Sequence, residues 1–152
     1  MRRYRKFVNG IREKSFPEIE GAIWIIKVPF FIPGAMVFWL LPRVNLLILS
    51  TKCDKLRDYV TRGMIAHELS HFSIFQRKKC VDFWKFFFSS EEGGARRNER
   101  KTDRLAIRKG YGNELIAVKK EAMEILRGTR WEKMLDNYLT VEETRAYMKR
   151  VA

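Results

Sequence analysis

The stretch from Gly63 to Gln76, GMIAHELSHFSIFQ, decides the fold. Glu68 is its one charged residue, so the sequence predicts an apolar helix that is buried in the core. His67 and His71 are four residues apart and therefore lie one above the other on a helix face. Because both imidazoles can then reach one ion at about 2.0–2.1 Å, this spacing predicts a metal site.

Glu68 follows the first histidine and is turned about 100° away from it on the helix. Its carboxylate can therefore stand beside the ion and contact an attacking water as a general base, without ligating. A charge isolated on an apolar helix is costly unless a neighbouring group requires it. In the alternative interpretation, one histidine is a core residue and Glu68 forms a surface ion pair.

The third metal ligand must be a carboxylate, because the chain contains only two histidines. Metzincins need glycine and histidine where this chain has Ile74 and Arg77, and proteases of the SprT type need a further downstream histidine. Glu99 and Asp103 are again four residues apart, so they share a helix face. Glu99 is the predicted ligand, and Asp103 is predicted to accept a hydrogen bond from a ligand imidazole.

Two alternatives to this pair remain open at the sequence level. Glu91 and Glu92 are rival ligands, although they precede Gly93-Gly94 in a predicted connecting segment. Many arginines and lysines also surround Glu99 and Asp103, so a solvated helix with surface ion pairs is a further interpretation.

The remaining patterns predict an α+β fold, with a small sheet followed by helices. The chain should form one domain, with an upper part near 1–75 and a lower part near 76–152. Its first element should be a basic helix over 2–15 that turns Phe7, Ile11 and Phe16 inward. The predicted strands are Ala22–Val28, Ala35–Leu41 and Val44–Leu49. Helices are predicted near 54–74, 95–109 and 113–127, and capping boxes at Thr129–Glu132 and Thr140–Glu143 should open two short helices. The first of these three helices should bury a stripe formed by Leu56, Tyr59, Val60, Gly63, His67, His71 and Ile74.

The charge balance is strongly basic, with 31 Lys and Arg against 18 Asp and Glu and a formal net charge of +13. This balance fits a solvated surface, and it also fits an anionic partner such as nucleic acid, a lipid surface or an acidic substrate.

Val28–Leu41 is too short and too rich in proline for a membrane span, so we expect a soluble cytoplasmic protein. The aromatic run Phe83–Phe88 leaves peripheral membrane association open. Cys53 and Cys80 are too few for a disulfide framework.

The two motifs together resemble the gluzincins, in which a glutamate helix of pattern NExxSD follows the HExxH helix. This chain has Asn98-Glu99-x-x-Thr102-Asp103, and Arg104–Ile107 with Gly110-Tyr111 is similar to membrane-bound gluzincins related to the CAAX prenyl proteases. The closest resemblance is to the minigluzincins, which are small and soluble. It implies a zincin-like fold and a zinc metalloendopeptidase that cleaves peptides or proteins and carries one Zn²⁺ per chain. It also implies that His67, His71 and Glu99 bind zinc, that Glu68 is the general base and acid, and that Asp103 orients a ligand.

The chain departs from the gluzincin pattern because no third histidine is present to stabilise the oxyanion. Tyr111, Tyr138 or an arginine could replace it, and the sequence does not choose among them. Val44–Leu49 is predicted as an edge strand that pairs with an extended substrate, with a buried central strand as the alternative. The activity could be latent or narrowly selective, with 1–20 or 139–152 occluding the cleft. The competing function is a basic protein that binds nucleic acid or a membrane surface and has a structural or vestigial zinc site.

Overall fold

The computed structural model describes residues 1–29, 34–41, 44–76 and 93–152. It confirms the α+β class, because a helix and a three-stranded sheet come first and helices follow. The first helix, α1 (Arg2–Ser15), has the predicted bounds and buries Tyr4, Val8 and Ile11. Arg77, Cys80, the aromatic run Phe83–Phe88, and the rival ligands Glu91 and Glu92 lie outside the described residues.

The three predicted strands are present as β1 (Ala22–Val28), β2 (Ala35–Leu41) and β3 (Val44–Ser50). Their order in the sheet is β1-β3-β2, with β3 parallel to β1 and antiparallel to β2. The prediction that Val44–Leu49 is an edge strand is therefore wrong, and β1 and β2 form the edges. An unbroken apolar run suits a strand with neighbours on both sides, and Leu47 and Leu49 are fully buried.

The helix α2 (Asp58–Phe75) carries the HExxH motif through the core, and from Val60 onward nearly all of its residues are buried. It begins at Asp58 and not near Asp54, as the sequence predicted. Asp54 lies in a short 3₁₀ helix, Thr51–Lys55, where it accepts hydrogen bonds from Lys27 Nζ at 2.6 Å and the Tyr4 hydroxyl at 2.9 Å. The prediction that Tyr59 belongs to the buried stripe of this helix is also wrong. The residue is 48% exposed, because the first turn of α2 lies at the surface.

The later helices are α3 (Gly94–Ala106), α4 (Gly112–Leu126) and α5 (Val141–Val151). The α-helical part of the second predicted helix ends at Ala106, and its helical backbone continues through Lys109 in a turn over Ile107–Tyr111, in line with the predicted end near Lys109. Gly110 breaks that turn with a φ of 93°, which a residue with a side chain rarely adopts. The capping box at Thr140 is confirmed, whereas the segment after Thr129 forms a short 3₁₀ helix, Glu132–Asn137. Among the described residues, no helix has the length and apolar content needed to cross a membrane.

Gly63 allows α2 and α4 to approach closely, one helical turn before His67. A Cβ atom at this position would lie 2.5 Å from the Glu114 carbonyl oxygen and 2.6 Å from its carbon. These are backbone atoms of α4, so they cannot move aside without shifting the whole helix. The absence of a side chain at Gly63 therefore sets the separation of these two helices.

We expect Gly63→Ala to destabilise the protein by about 1–3 kcal/mol through overpacking, despite the higher helix propensity of alanine. The matched control is Gly10→Ala in α1, where no atom lies within 4 Å of the new Cβ. The control should raise stability by about 0.5–1 kcal/mol. Urea unfolding of the two variants checks the prediction, and equal stabilities would contradict it.

Candidate metal centre

Three side chains from two helices converge on one point in the structure. Helix α2 places His67 Nε2 and His71 Nε2 3.2 Å apart, as the spacing of four residues predicts. Helix α3 brings Glu99 Oε2 to 3.0 Å from His67 Nε2 and to 3.3 Å from His71 Nε2. Among the described residues, these three form a group whose donor atoms could hold a metal ion.

The three donor atoms have the mutual spacing of a tetrahedral zinc site. Ligands about 2.0–2.1 Å from a zinc ion at tetrahedral angles lie about 3.3 Å from one another. The three separations here are 3.0, 3.2 and 3.3 Å. Only small side-chain movements are therefore needed to admit the ion at the centre of the group.

The other nitrogen of each imidazole is held by a residue of α3. His67 Nδ1 lies 3.0 Å from Asp103 Oδ1, and His71 Nδ1 lies 3.2 Å from Thr102 Oγ1. If each Nδ1 carries its proton and donates it to these oxygens, both Nε2 atoms are left with free lone pairs. That tautomer is the one a metal ligand needs, and Asp103 and Thr102 are placed to accept these two protons.

Asp103 is the most buried carboxylate of the centre, with no exposed surface. Besides the bond from His67, its Oδ2 accepts hydrogen bonds from Lys119 Nζ at 2.7 Å and from the Leu139 backbone nitrogen at 2.9 Å. One carboxylate thus joins α2, α3, α4 and the segment before α5. This position agrees with the predicted role of Asp103 in orienting a ligand.

Thr102 and Lys119 also belong to the centre, and the sequence did not predict a role for either. Thr102 lies three residues after Glu99, so a helical face containing Glu99 and Asp103 also passes close to it. Lys119 lies four residues after the buried Leu115, on the inward face of α4, and a lysine on an apolar stripe indicates a buried partner. Both signals were present in the sequence, but neither identifies the partner.

The carboxylates create a strongly negative field at the two imidazoles. Burial alone would lower the pKa of His67, but hydrogen bonds to Asp103 and Glu99, together with their charges, raise it to about 10. Burial raises the pKa of Glu99, and hydrogen bonds from His67 and His71 outweigh that effect and hold it well below its usual range. The acidic groups that raise the pKa of His67 therefore favour a positive charge at the place that suits a cation.

Glu68 lies beside this group but makes no hydrogen bond to any described residue. Its side chain is buried, with 7% of the residue exposed, and it lines the same cleft as His67. Burial raises the pKa of Glu68, the negative charge of Glu99 adds to the rise, and His67 and His71 oppose it. A buried carboxylate without a partner requires a ligand, an ion or a water at that place, and a metal with its water would satisfy it.

A cleft of about 1310 Å³ lies beside the centre, with His67, Glu68 and Asp103 among the residues that line it. Its walls include apolar side chains of α2 and α4, among them Met64 and Leu115, and residues 139–143 at the start of α5. Tyr138 also lines it, with its ring centroid 5.6 Å from that of His67. Burial raises the pKa of Tyr138 well above 10, and the charges of Glu99, Glu68 and Asp103 contribute to the rise.

The other tyrosine that the sequence analysis proposed for the oxyanion, Tyr111, is used elsewhere. Its hydroxyl lies 3.0 Å from Ser15 Oγ, and its ring stacks on Phe16 in the core. Tyr111 is therefore a structural link between α1 and the helical turn after α3.

No family model, curated protein or solved structure matches this chain. The geometry of the described residues and the two motifs are therefore the basis for assigning a function.

Proposed function

We propose that this protein is a zinc-dependent metalloendopeptidase of the gluzincin type, most similar to the minigluzincins. The observation that carries the proposal is the triangle of donor atoms from His67, His71 and Glu99, with sides of 3.0–3.3 Å. The carboxylate of Glu68, which has no hydrogen-bond partner in the described part of the chain, adds in the same cleft the group that peptide hydrolysis requires.

Zinc is the metal that the donor set favours. Two imidazole nitrogens and one carboxylate oxygen, with a fourth position left open, are the ligands of many catalytic zinc sites. Glu68, Glu99 and Asp103 bring three carboxylates to the centre, and Lys119, paired with Asp103, brings one ammonium group, so a doubly charged cation balances these charges when all three carboxylates are ionised. When bound, zinc polarises a carbonyl group and lowers the pKa of water.

Glu68 is the proton carrier in this proposal. Its carboxylate accepts a proton from the attacking water and then passes it to the nitrogen of the leaving amine. Burial favours this role, because it raises the pKa of Glu68 and so makes its carboxylate a stronger base. Asp103 and Thr102 keep the two imidazoles in place while the proton moves.

A peptide is the substrate that the motifs and the cleft support. A large cleft with apolar walls and a few polar groups on one side suits the side chains and backbone of an extended peptide. The apolar side chains include Val60, Met64, Leu115, Val118 and Leu126. The buried side chains of Leu139 and Val141 form another part of the wall, so we expect cleavage that is selective for the peptide side chains that fit against them.

The test combines metal analysis with hydrolysis of an unfolded protein or a mixed peptide library. We expect one zinc per chain, cleavage that stops after chelation, and recovery on addition of zinc. Glu99→Gln should weaken zinc binding by at least the roughly 10–100-fold that loss of a ligand-orienting partner costs. The matched control is Glu142→Gln, which changes an exposed carboxylate of the same cleft and should retain zinc and activity.

Two outcomes would contradict the proposal in different ways. Full zinc affinity in Glu99→Gln would remove Glu99 from the ligand set. One firmly bound zinc with no cleavage of any peptide would instead favour the alternative function, a basic protein with a structural zinc site. That protein should bind an anionic polymer or membrane with an affinity that falls steeply as salt increases.

A further inference from the structure

The face of the sheet that points away from the core is apolar. Successive side chains of a strand point to opposite faces, so the buried Leu47 and Leu49 of β3 place Leu46 and Ile48 on the other side. The strand register aligns residues of β1 and β2 with these two positions. The result is two rows of three side chains, which we call the apolar sheet face: Trp24, Leu46 and Phe38 in one row, and Ile26, Ile48 and Met36 in the other.

Half of the apolar sheet face is open to solvent. Trp24 is 62% exposed, Met36 43% and Ile26 41%, and the other three residues are partly buried. A sheet that packs one face on the core usually carries polar residues on its other face. A contiguous exposed apolar patch instead marks a place where another surface binds.

Positive charge is concentrated at the end of the sheet where β1 and β3 stop. The segment Thr51–Lys55 follows β3 directly, and Arg3 joins the first turn of α1 to it by donating to the Asp54 carbonyl oxygen at 3.2 Å. Residues 1–6, 27 and 51–58, which we call the basic end, contain eight lysines and arginines against two aspartates. Both aspartates are paired with basic residues of the same group, so the excess charge at this end is positive.

An anionic bilayer matches both the apolar sheet face and the basic end. Amphipathic surfaces bind at the boundary between headgroups and acyl chains through buried apolar area and through attraction to anionic lipids. Tryptophan is enriched at that boundary, and acidic phospholipids attract lysines and arginines beside it. A second copy of the chain fits less well, because each copy carries a net charge of +13 and the two would repel each other.

We infer that the protein docks peripherally on an anionic lipid bilayer through the apolar sheet face, with Trp24 and Ile26 entering the headgroup region and the basic end contacting acidic headgroups. This inference does not depend on the proposed function, because none of the six residues of the face belongs to the candidate metal ligands. Peptide hydrolysis tests the proposed function, and vesicle binding tests the docking.

The first test is co-sedimentation of the full chain with phospholipid vesicles. We expect binding to vesicles of phosphatidylcholine with about a quarter phosphatidylserine, and binding about tenfold weaker or more to phosphatidylcholine alone. Trp24→Thr/Ile26→Thr should lose about tenfold or more in affinity for the anionic vesicles, because it removes exposed apolar area and keeps residues that favour strands. The matched control is Trp131→Thr, which removes a 37% exposed tryptophan outside the sheet and should bind as the wild type does.

The second test identifies the residue that enters the bilayer. Lipids with brominated acyl chains quench the fluorescence of a tryptophan that reaches them. Trp24→Phe keeps an aromatic ring in the face, so it should still bind the anionic vesicles and should lose most of the quenching seen in the wild type. Lys55→Gln, at the basic end, should bind about fivefold more weakly, and this difference should disappear at high salt.

Four results would overturn the inference. The first is a wild-type protein that does not bind the anionic vesicles. The second is Trp24→Thr/Ile26→Thr that melts like the wild type and binds with unchanged affinity, which would leave only electrostatic attraction. Full quenching in Trp24→Phe would assign the insertion to another part of the chain, and this arm decides the matter if the double variant does not fold. A lipid-free dimer that the double substitution dissociates would assign the face to a second copy.

Discussion

Glu68→Gln is expected to lower kcat/KM for peptide hydrolysis by about 10²–10⁴-fold while the protein keeps its zinc. The amide has nearly the same shape as the carboxylate, but it cannot accept the proton of the attacking water. Glu68 is not part of the donor group formed by His67, His71 and Glu99, so metal affinity should not change. The loss therefore measures proton transfer and not assembly of the site.

The stability of Glu68→Gln provides an independent check on this assignment. The wild-type carboxylate is buried without a partner among the described residues, and burial of an unpaired charge is unfavourable. We therefore expect the variant to melt at the wild-type temperature or above it, as is common where a site is built for function and not for stability. Activity, zinc content and melting temperature should be measured on one preparation.

Glu142→Gln again provides the matched control, since its exposed carboxylate lines the same cleft and should be dispensable. Undiminished cleavage by a pure Glu68→Gln preparation would rule out the proposed mechanism. A drop in zinc content equal to the drop in activity would give Glu68 a different role, as a group that helps to retain the metal.

Local sequence patterns predict the pairs of site residues that lie on the same helix. The spacing of His67 and His71, and that of Glu99 and Asp103, each follow from the 3.6-residue period of a helix. The sequence also predicted that the two helices meet, because two histidines leave a tetrahedral site incomplete. The structure brings all four side chains together, with His67 bonded to both carboxylates.

The contacts that the sequence did not predict join residues far apart along the chain. Lys119 reaches Asp103 from the next helix, and Tyr138 is held by Arg100 across 38 residues. No local period encodes such contacts, since they depend on how helices pack and where the turn at Gly110 sends the chain. For the same reason, the sequence did not choose between Tyr111 and Tyr138 as the group that stabilises the oxyanion.

The errors in the fold have related causes. An apolar strand such as β3 has the same sequence pattern at the centre of a sheet as at an edge with both faces covered, so the order β1-β3-β2 was not predictable from it. The start of α2 is set by Lys27 and Tyr4, which bind Asp54 and keep it in the preceding 3₁₀ helix. Tertiary contacts therefore decided both the position of β3 in the sheet and the first residue of α2.

Asp103→Asn is expected to destabilise the zinc-free protein by about 3–5 kcal/mol, because it leaves the buried ammonium of Lys119 without its counter-charge. Only one oxygen remains at this position, whereas the carboxylate accepts hydrogen bonds from three donors, on His67, Lys119 and Leu139. Either orientation of the amide places an N–H₂ group against at least one of these donors. Chemical unfolding of the metal-free variant measures the effect.

The same substitution should also weaken zinc binding, by about 10–100-fold. If the asparagine oxygen faces Lys119, its nitrogen faces His67 Nδ1 and favours the tautomer with the proton on Nε2. That tautomer cannot donate a lone pair to the metal from Nε2, so binding must first move the proton. Zinc affinity, measured by competition with a chelator, reports this effect separately from stability.

A second substitution separates the two consequences of losing Asp103. Lys119→Met removes the ammonium and keeps a flexible apolar side chain, so the double variant Asp103→Asn/Lys119→Met should regain much of the lost stability. It should not regain zinc affinity, because the tautomer of His67 is still wrong for ligation. If stability and zinc affinity both recover, Asp103 acts on the metal through Lys119. If neither recovers, the hydrogen bond from the Leu139 backbone to Asp103 holds the site together. The expected split, in which stability returns without metal affinity, would assign to one carboxylate both the burial of Lys119 and the orientation of His67.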